Sequence, residues 1–265
     1  MRSHATEAVA AREDGNGASL ASAAYVYGVA RSTLTAPRTT GVAGAALVTI
    51  PFRDIAALAS PTSQVPLRAR RRDLTAHADV LALVAAEDTI LPARFGMIFE
   101  SPYAVVQEFL EPRHRDLRQL LDEFEGLVEL RVKAAYRMDA ILAEIVEASP
   151  RVRNLRELTR GRPDAETRGL RLELGTAVAA ELAALRERDV ERVLAATRQL
   201  TEDAVLEPLA TDEQVVNASF LLRRSRVSRF DEALDAHAGR ERGRMRFTCV
   251  GPLAPHTFVP ALEEA

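Results

Sequence analysis

Val128-Glu129-Leu130-Arg131-Val132-Lys133 alternates apolar and charged side chains without a break. A period of two sets Val128, Leu130 and Val132 on one side of an extended chain and the three charged residues on the other. The segment therefore predicts a strand with one face in a core and one in water. Downstream, Met138 to Val146 has helical spacing, and residues 149–170 hold two prolines, two glycines and six arginines against three acids, the composition of a variable loop. From Arg171 to about Leu200 the pattern predicts a long helix with an imperfect apolar stripe at Leu174, Val178, Leu182, Leu185, Val193 and Leu200. Asp203 to Leu209 can form a short strand, and Gln214 to Leu222 (QVVNASFLL) a strongly apolar one. Ser228 to Ala238 is a helix closed by Gly239, and Met245 to Val250 (MRFTCV) a last strand ending at Gly251-Pro252. The order β, α, β, β, α, β over 126–251 is that of a ferredoxin-like domain with an enlarged helical crossover.

Working back toward the N-terminus, Ala24 to Ala30 (AYVYGVA) and Val42 to Ile50 are short apolar runs separated by a Pro and Gly loop, which suggests two strands. Asp73 precedes Leu74, His77, Ala78, Leu81, Val84 and Ala85, the spacing of an amphipathic helix. Ile90 to Phe99 (ILPARFGMIF) follows as a strand interrupted by Pro92 and Gly96, hence an edge, a bulge or a bend, and Ser101-Pro102 opens another helix that Pro112 should kink or split. Residues 24–125 thus form an N-terminal α+β domain, 1–23 read as a disordered leader, and 252–265 as a proline-rich tail running along the surface or across the junction. The fold class is α+β in two domains.

Composition narrows the function. The 265 residues carry a formal charge of -3 with 47% hydrophobic and 28% charged residues, an ordinary globular balance. One cysteine, Cys249, allows no internal disulfide framework and fits a reducing, cytoplasmic setting. No apolar run reaches the roughly 18 residues of a membrane span. Of 35 basic residues only Lys133 is a lysine, and 38 acids are interleaved with them, which argues against a nucleic-acid protein.

Several motifs then fall in a recognisable order: Tyr25-Val26-Tyr27-Gly28; His77 followed by Val80; Leu91-Pro92-Ala93-Arg94-Phe95-Gly96 with Phe99; the strand around Glu129 and Lys133; Val216-Asn217-Ala218-Ser219-Phe220-Leu221; and Gly251-Pro252, Pro255 and Phe258-Val259. Over roughly residues 24–259 the chain resembles the gas vesicle protein F and L family (GvpF/GvpL). It departs from the family pattern at Met97, where threonine is usual, and at Leu253 to His256, where a terminal tryptophan and tyrosine are replaced. The resemblance implies a two-domain α+β protein that takes part in building gas vesicles, hollow gas-filled shells that confer buoyancy, with no catalysis and no cofactor.

The residues themselves offer few catalytic constellations. His77 and Arg94 could form a polar pair in an interdomain cleft, as in a small-molecule enzyme or sensor; the plainer reading makes His77 a core histidine and gives Arg94 a carboxylate partner. His4, His77, His114, His237 and His256 lack metal-ligand spacing, and Cys249 reads as a small buried hydrophobe. No nucleophile elbow, Walker loop or dinucleotide turn occurs. Arg68, Arg70, Arg71 and Arg72 are the densest basic run, read as a solvated loop. An RNA-binding module would need exposed aromatics on the central strands, and Phe220 and Phe247 fit inward positions. Leu174, Val178, Leu182 and Leu185 have the best claim to a partner surface, as a helix-in-groove face; Phe95, Gly96, Asn217, Gly251 and Pro252 are candidate structural positions. The expected role is an accessory or minor structural protein that binds the hydrophobic gas vesicle shell protein and works with other accessory proteins, without nucleic acid or membrane.

Overall fold

A computed structural model describes residues 22–63 and 70–262. Ser22 and Ala23 apart, the predicted leader lies outside the described residues, as does Arg68. The alternating segment is the middle of β6 (Leu127–Tyr136), which pairs antiparallel with β8 (Gln214–Arg223) on one side and β9 (Met245–Leu253) on the other. With β7 (Asp203–Leu206) at the far edge of β8, the sheet order is β7-β8-β6-β9, which is the split β-α-β arrangement.

One face of this sheet carries the helices: α4 (Met138–Ala148), α5 (Pro150–Thr159), the 34-residue α6 (Asp164–Thr197) and α7 (Val227–Arg240). Val128, Leu130, Val132, Ala134 and Tyr136 of β6 share a core cluster with Phe220, Phe230, Leu155, Leu185 and Val193. The predicted loop at 149–170 is largely helical. Ser149 caps α5 by accepting from the Val152 N–H, Pro150 occupies the first turn, and Val152, Leu155 and Thr159 are buried at three- and four-residue spacing while the arginines point out. Only Arg160 to Pro163 separates α5 from α6, with Gly161 at φ +70°.

The charged face of β6 was expected in water, and one of its three charged residues, Glu129, departs from that. Glu129 has 0% exposure because the tail crosses over it: Oε2 accepts from the Thr257 N–H at 2.8 Å, and Oε1 lies 2.9 Å from the Thr257 hydroxyl, 3.0 Å from that of Ser219 and 2.7 Å from Arg131 Nε. A second buried acid, Asp189 of α6, is held by the Tyr136 hydroxyl at 2.8 Å, Arg192 at 3.0 Å and Arg244 at 2.9 Å. Arg244 also binds Glu144 of α4 at 2.7 Å and pairs with Glu241.

The first half builds a separate sheet from β1 (Ala23–Arg31), β2 (Val48–Phe52), β3 (Ile55–Thr62) and β4 (Ile90–Pro92) in the order β2-β3-β1-β4, with β5 (Ile98–Phe99) also on β1. The run predicted as a strand from Val42 is a tight turn at Val42–Gly44 before β2 begins, and β3 was not anticipated. The helix α1 (Arg71–Glu87) covers one face. On the other, α2 (Pro102–Ala104) continues through a π-helical Val105–Leu110 and a turn containing Pro112 into α3 (His114–Glu123). The halves are stitched by Arg224, which donates to the Ala85 and Asp88 carbonyls at the end of α1 at 3.0 and 2.7 Å, where a cation also suits the helix dipole. Leu127 and Leu221 of the second sheet pack into the core cluster of the first.

β9 bulges at Gly251, shortly before the tail begins, and the φ of +150° and close approach to Leu130 leave no room for a side chain there; a Cβ would also stand 2.9 Å from the Glu129 carbonyl. Gly251→Ala should therefore lower unfolding stability by about 2 kcal/mol or more, measured by urea denaturation. An unchanged midpoint would show that this crossing is not constrained.

Candidate functional site

The motif residues of the first half gather in a buried box under α1. Tyr25 and Tyr27 project from β1 toward His77, which is 5% exposed. The Tyr25 hydroxyl accepts from the Gly96 N–H at 3.3 Å and lies 2.8 Å from His77 Nδ1. Nδ1 is the one acceptor within reach of the hydroxyl proton among the described residues, so the hydroxyl is assigned as donor to Nδ1, which leaves the imidazole proton on Nε2, facing the Ala93 carbonyl short of hydrogen-bond geometry. His77 stacks on Tyr27 at 5.5 Å and meets Phe95 edge-on at 5.7 Å. Tyr27 in turn accepts from the Val42 N–H at 2.7 Å and shares a hydrogen bond with Ser60 at 3.0 Å. Gly96 takes φ +94°, a conformation open to glycine, which turns the chain between β4 and β5.

Burial pushes the His77 pKa down to about 4, helped by nearby His256 and partly opposed by the Ala93 carbonyl. A neutral imidazole inside an aromatic box is a packing element. Arg94 stands on the exposed turn, lining a pocket of about 320 Å³ with Pro92, Ala93 and the tail residues His256, Val259 and Leu262. His77 is buried in the box and is not among the residues lining that pocket.

The remaining motif positions make contacts within the fold. Asn217 donates from Nδ2 to the Pro208 carbonyl at 2.9 Å and holds the β7–β8 connection. Gly251 and Pro252 form the exit bulge of β9. Cys249 is exposed, contrary to expectation, because β9 is an edge strand at that point. Partial desolvation and Asp231 raise its pKa to about 11, which disfavours a thiolate. Phe220 is buried against the helices and Phe247 packs on His237, so neither offers an exposed stacking platform. Among the described residues no group of three or more His, Cys, Asp or Glu could hold a metal ion.

The predicted stripe on α6 divides. Leu185 belongs to the core cluster, and Leu174, Val178 and Leu182 are half-buried against it. Leu174 and Val178 also line an open groove of about 420 Å³, together with Leu142, Ala143 and Val146 of α4, Val152 of α5, and the polar Asp139 and Arg156. The wall supplied by α5 is hidden in the sequence by the loop-like composition of residues 149–170; Ser149-Pro150 followed by Val152, Leu155 and Thr159 is the signal that marks it.

His77 gives a pH test. Its folded pKa of about 4 lies below the unfolded value of about 6.5, so the fold favours the neutral ring. That contribution, roughly 3 kcal/mol, is complete above about pH 6.5 and lost as pH falls toward about 4. His237 and His256 are shifted in the same direction by burial and remain in both proteins compared. His77→Gln should be less stable near neutrality but show a flatter loss over that window in urea melts. Parallel curves for the two proteins would remove His77 from the acid response.

Residues 23–260 match the model of a family described as gas vesicle synthesis protein GvpL/GvpF. Gas vesicle protein F of a Streptomyces species is 32% identical over 238 residues, covering 89% of this chain and 98% of the relative. Gas vesicle protein F of a Nostoc species is 27% identical over 209 residues, covering 76% and 82% of the two chains. The crystal structure of GvpF from Anabaena sp. superposes with a TM-score of 0.77 at 22% identity, covering 89% of this chain and 98% of that one, a likeness of fold. The family model and the Streptomyces relative agree with the motif order read from the residues: this chain belongs to the gas vesicle GvpL/GvpF family.

Proposed function

We propose that this protein is an accessory or minor structural component of gas vesicle assembly, acting in the cytoplasm by covering an apolar face of the vesicle shell subunit. Shell-forming subunits must present apolar surface to one another, and such surface aggregates in water unless a partner shields it beforehand. The observation that carries the reading is the open groove between α4, α5 and α6, whose lining is mostly apolar and whose rim includes Leu142 at 39% exposure. A single exposed leucine is unremarkable, but a leucine and a valine pair from each of two helices around a trough suit another helix. We also read each sheet with its helices as a domain, 24–125 and 126–251. The first, through its Tyr–His box, serves as a scaffold, and the second bears the partner surface.

Deleting the gene in a vesicle-forming host should abolish or sharply reduce vesicles by electron microscopy, and the tagged protein should co-purify with the shell subunit. Leu142→Asp places a carboxylate in the groove rim at a half-open position. It should cut recovery of the shell subunit more than about tenfold while circular dichroism and melting stay near wild type. Normal vesicles in normal number after deletion would refute the role.

A further inference from the structure

The α5 wall of the groove carries charge that the fold leaves unneutralised. Residues 150–171 contain seven arginines against three acids, in a chain whose formal charge is -3. Arg151, Arg156, Arg160, Arg162 and Arg168 are exposed, and none has a carboxylate partner among the described residues. Arg153, Arg156 and Arg160 recur at three- and four-residue spacing and so share one side of α5. Arg156 lines the groove itself, and Arg153 donates to the Val146 carbonyl at 3.3 Å where α4 ends, so the row runs beside the trough. Asp139 is the one acid in the lining. The groove is thus apolar along its floor and positive along the α5 edge.

We infer that the groove receives an amphipathic α-helix whose apolar stripe meets Leu142, Val146, Leu174 and Val178 and whose glutamates or aspartates lie along the α5 edge, against Arg156 and Arg160. This rests on the assembly reading and specifies the chemistry of the shell-subunit segment that is bound. A helix fits because the facing residues recur at one-turn intervals on α4 and α6, the ridges between which another helix packs. Exposed charge pairs contribute little to affinity one by one, yet several of one sign fix which edge of the ligand faces α5 and make binding salt-dependent.

Fluorescence anisotropy with the full chain tests this, using two labelled synthetic helical peptides with the same leucine stripe, one flanked by glutamate and one by lysine. The acidic peptide should bind about tenfold tighter, with the advantage shrinking as salt rises. Arg156→Glu with Arg160→Glu, two exposed residues without partners, should reverse the preference, and Leu142→Asp should weaken both peptides. Equal affinities, failure of the acidic peptide to bind, a preference unmoved by charge reversal, or tighter binding of single-stranded RNA would each overturn the assignment. Should it fail while gene deletion still abolishes vesicles, the assembly role stands and only the ligand chemistry falls. Normal vesicles after deletion beside intact peptide selectivity would do the reverse.

Discussion

A carboxylate shut away from water is tolerable only when donors surround it, and the burial of Glu129 imposes that requirement on three parts of the chain, two of them distant in sequence. Arg131 answers from the same strand, Ser219 from the neighbouring strand, and Thr257 from beyond the last strand with both its amide and its hydroxyl. Satisfying the acid draws the tail across the sheet, and the residues on either side of Thr257 then settle into the first half. Ala254 joins the cluster around the Tyr–His box, Val259 and Leu262 join the cluster over α3, and Leu262 pairs with Ala93 as a short parallel bridge. The tail thereby links two sheets that share no strand. Gly251 is the geometric condition for this path, since it is where the chain must pass over Leu130.

What could be read from the residues followed from how strongly local pattern and tertiary placement agreed. Alternation in β6 and β9 and the apolar run of β8 had one plausible structure each, so the β-α-β-β-α-β order emerged directly. The alanine-rich β3 has β-branched residues only at its two ends, Ile55 and Thr62, so it does not advertise a strand; it is extended because β1 and β2 hold it from both sides. The misreading of α5 came from weighing arginine, proline and glycine counts over the spacing of Val152, Leu155 and Thr159. Exposure of Cys249 depends on β9 being a sheet edge, and burial of Glu129 on a tail more than a hundred residues away; neither is a local property.

The same contrast applies to the candidate site. Tyr25, His77, Phe95 and Gly96 are legible as motif positions, but only the structure shows His77 and Gly96 meeting at the Tyr25 hydroxyl with Phe95 against its ring. Leu174 and Val178 were chosen from a helical stripe, whereas the groove they line needed the α4 and α5 walls to exist. The Tyr–His box and the groove proposed as the partner surface therefore lie in different halves of the molecule.

Arg244 bears on that opening from behind. By gripping Glu144 on α4 and Asp189 on α6 together, it fixes the separation of the two helices whose outer faces form the trough. The groove is consequently preorganised. For the helix proposed to dock there, nearly all of the ordering entropy falls on the incoming segment, so its intrinsic helicity, rather than any adaptation by this protein, would set how tightly it is held.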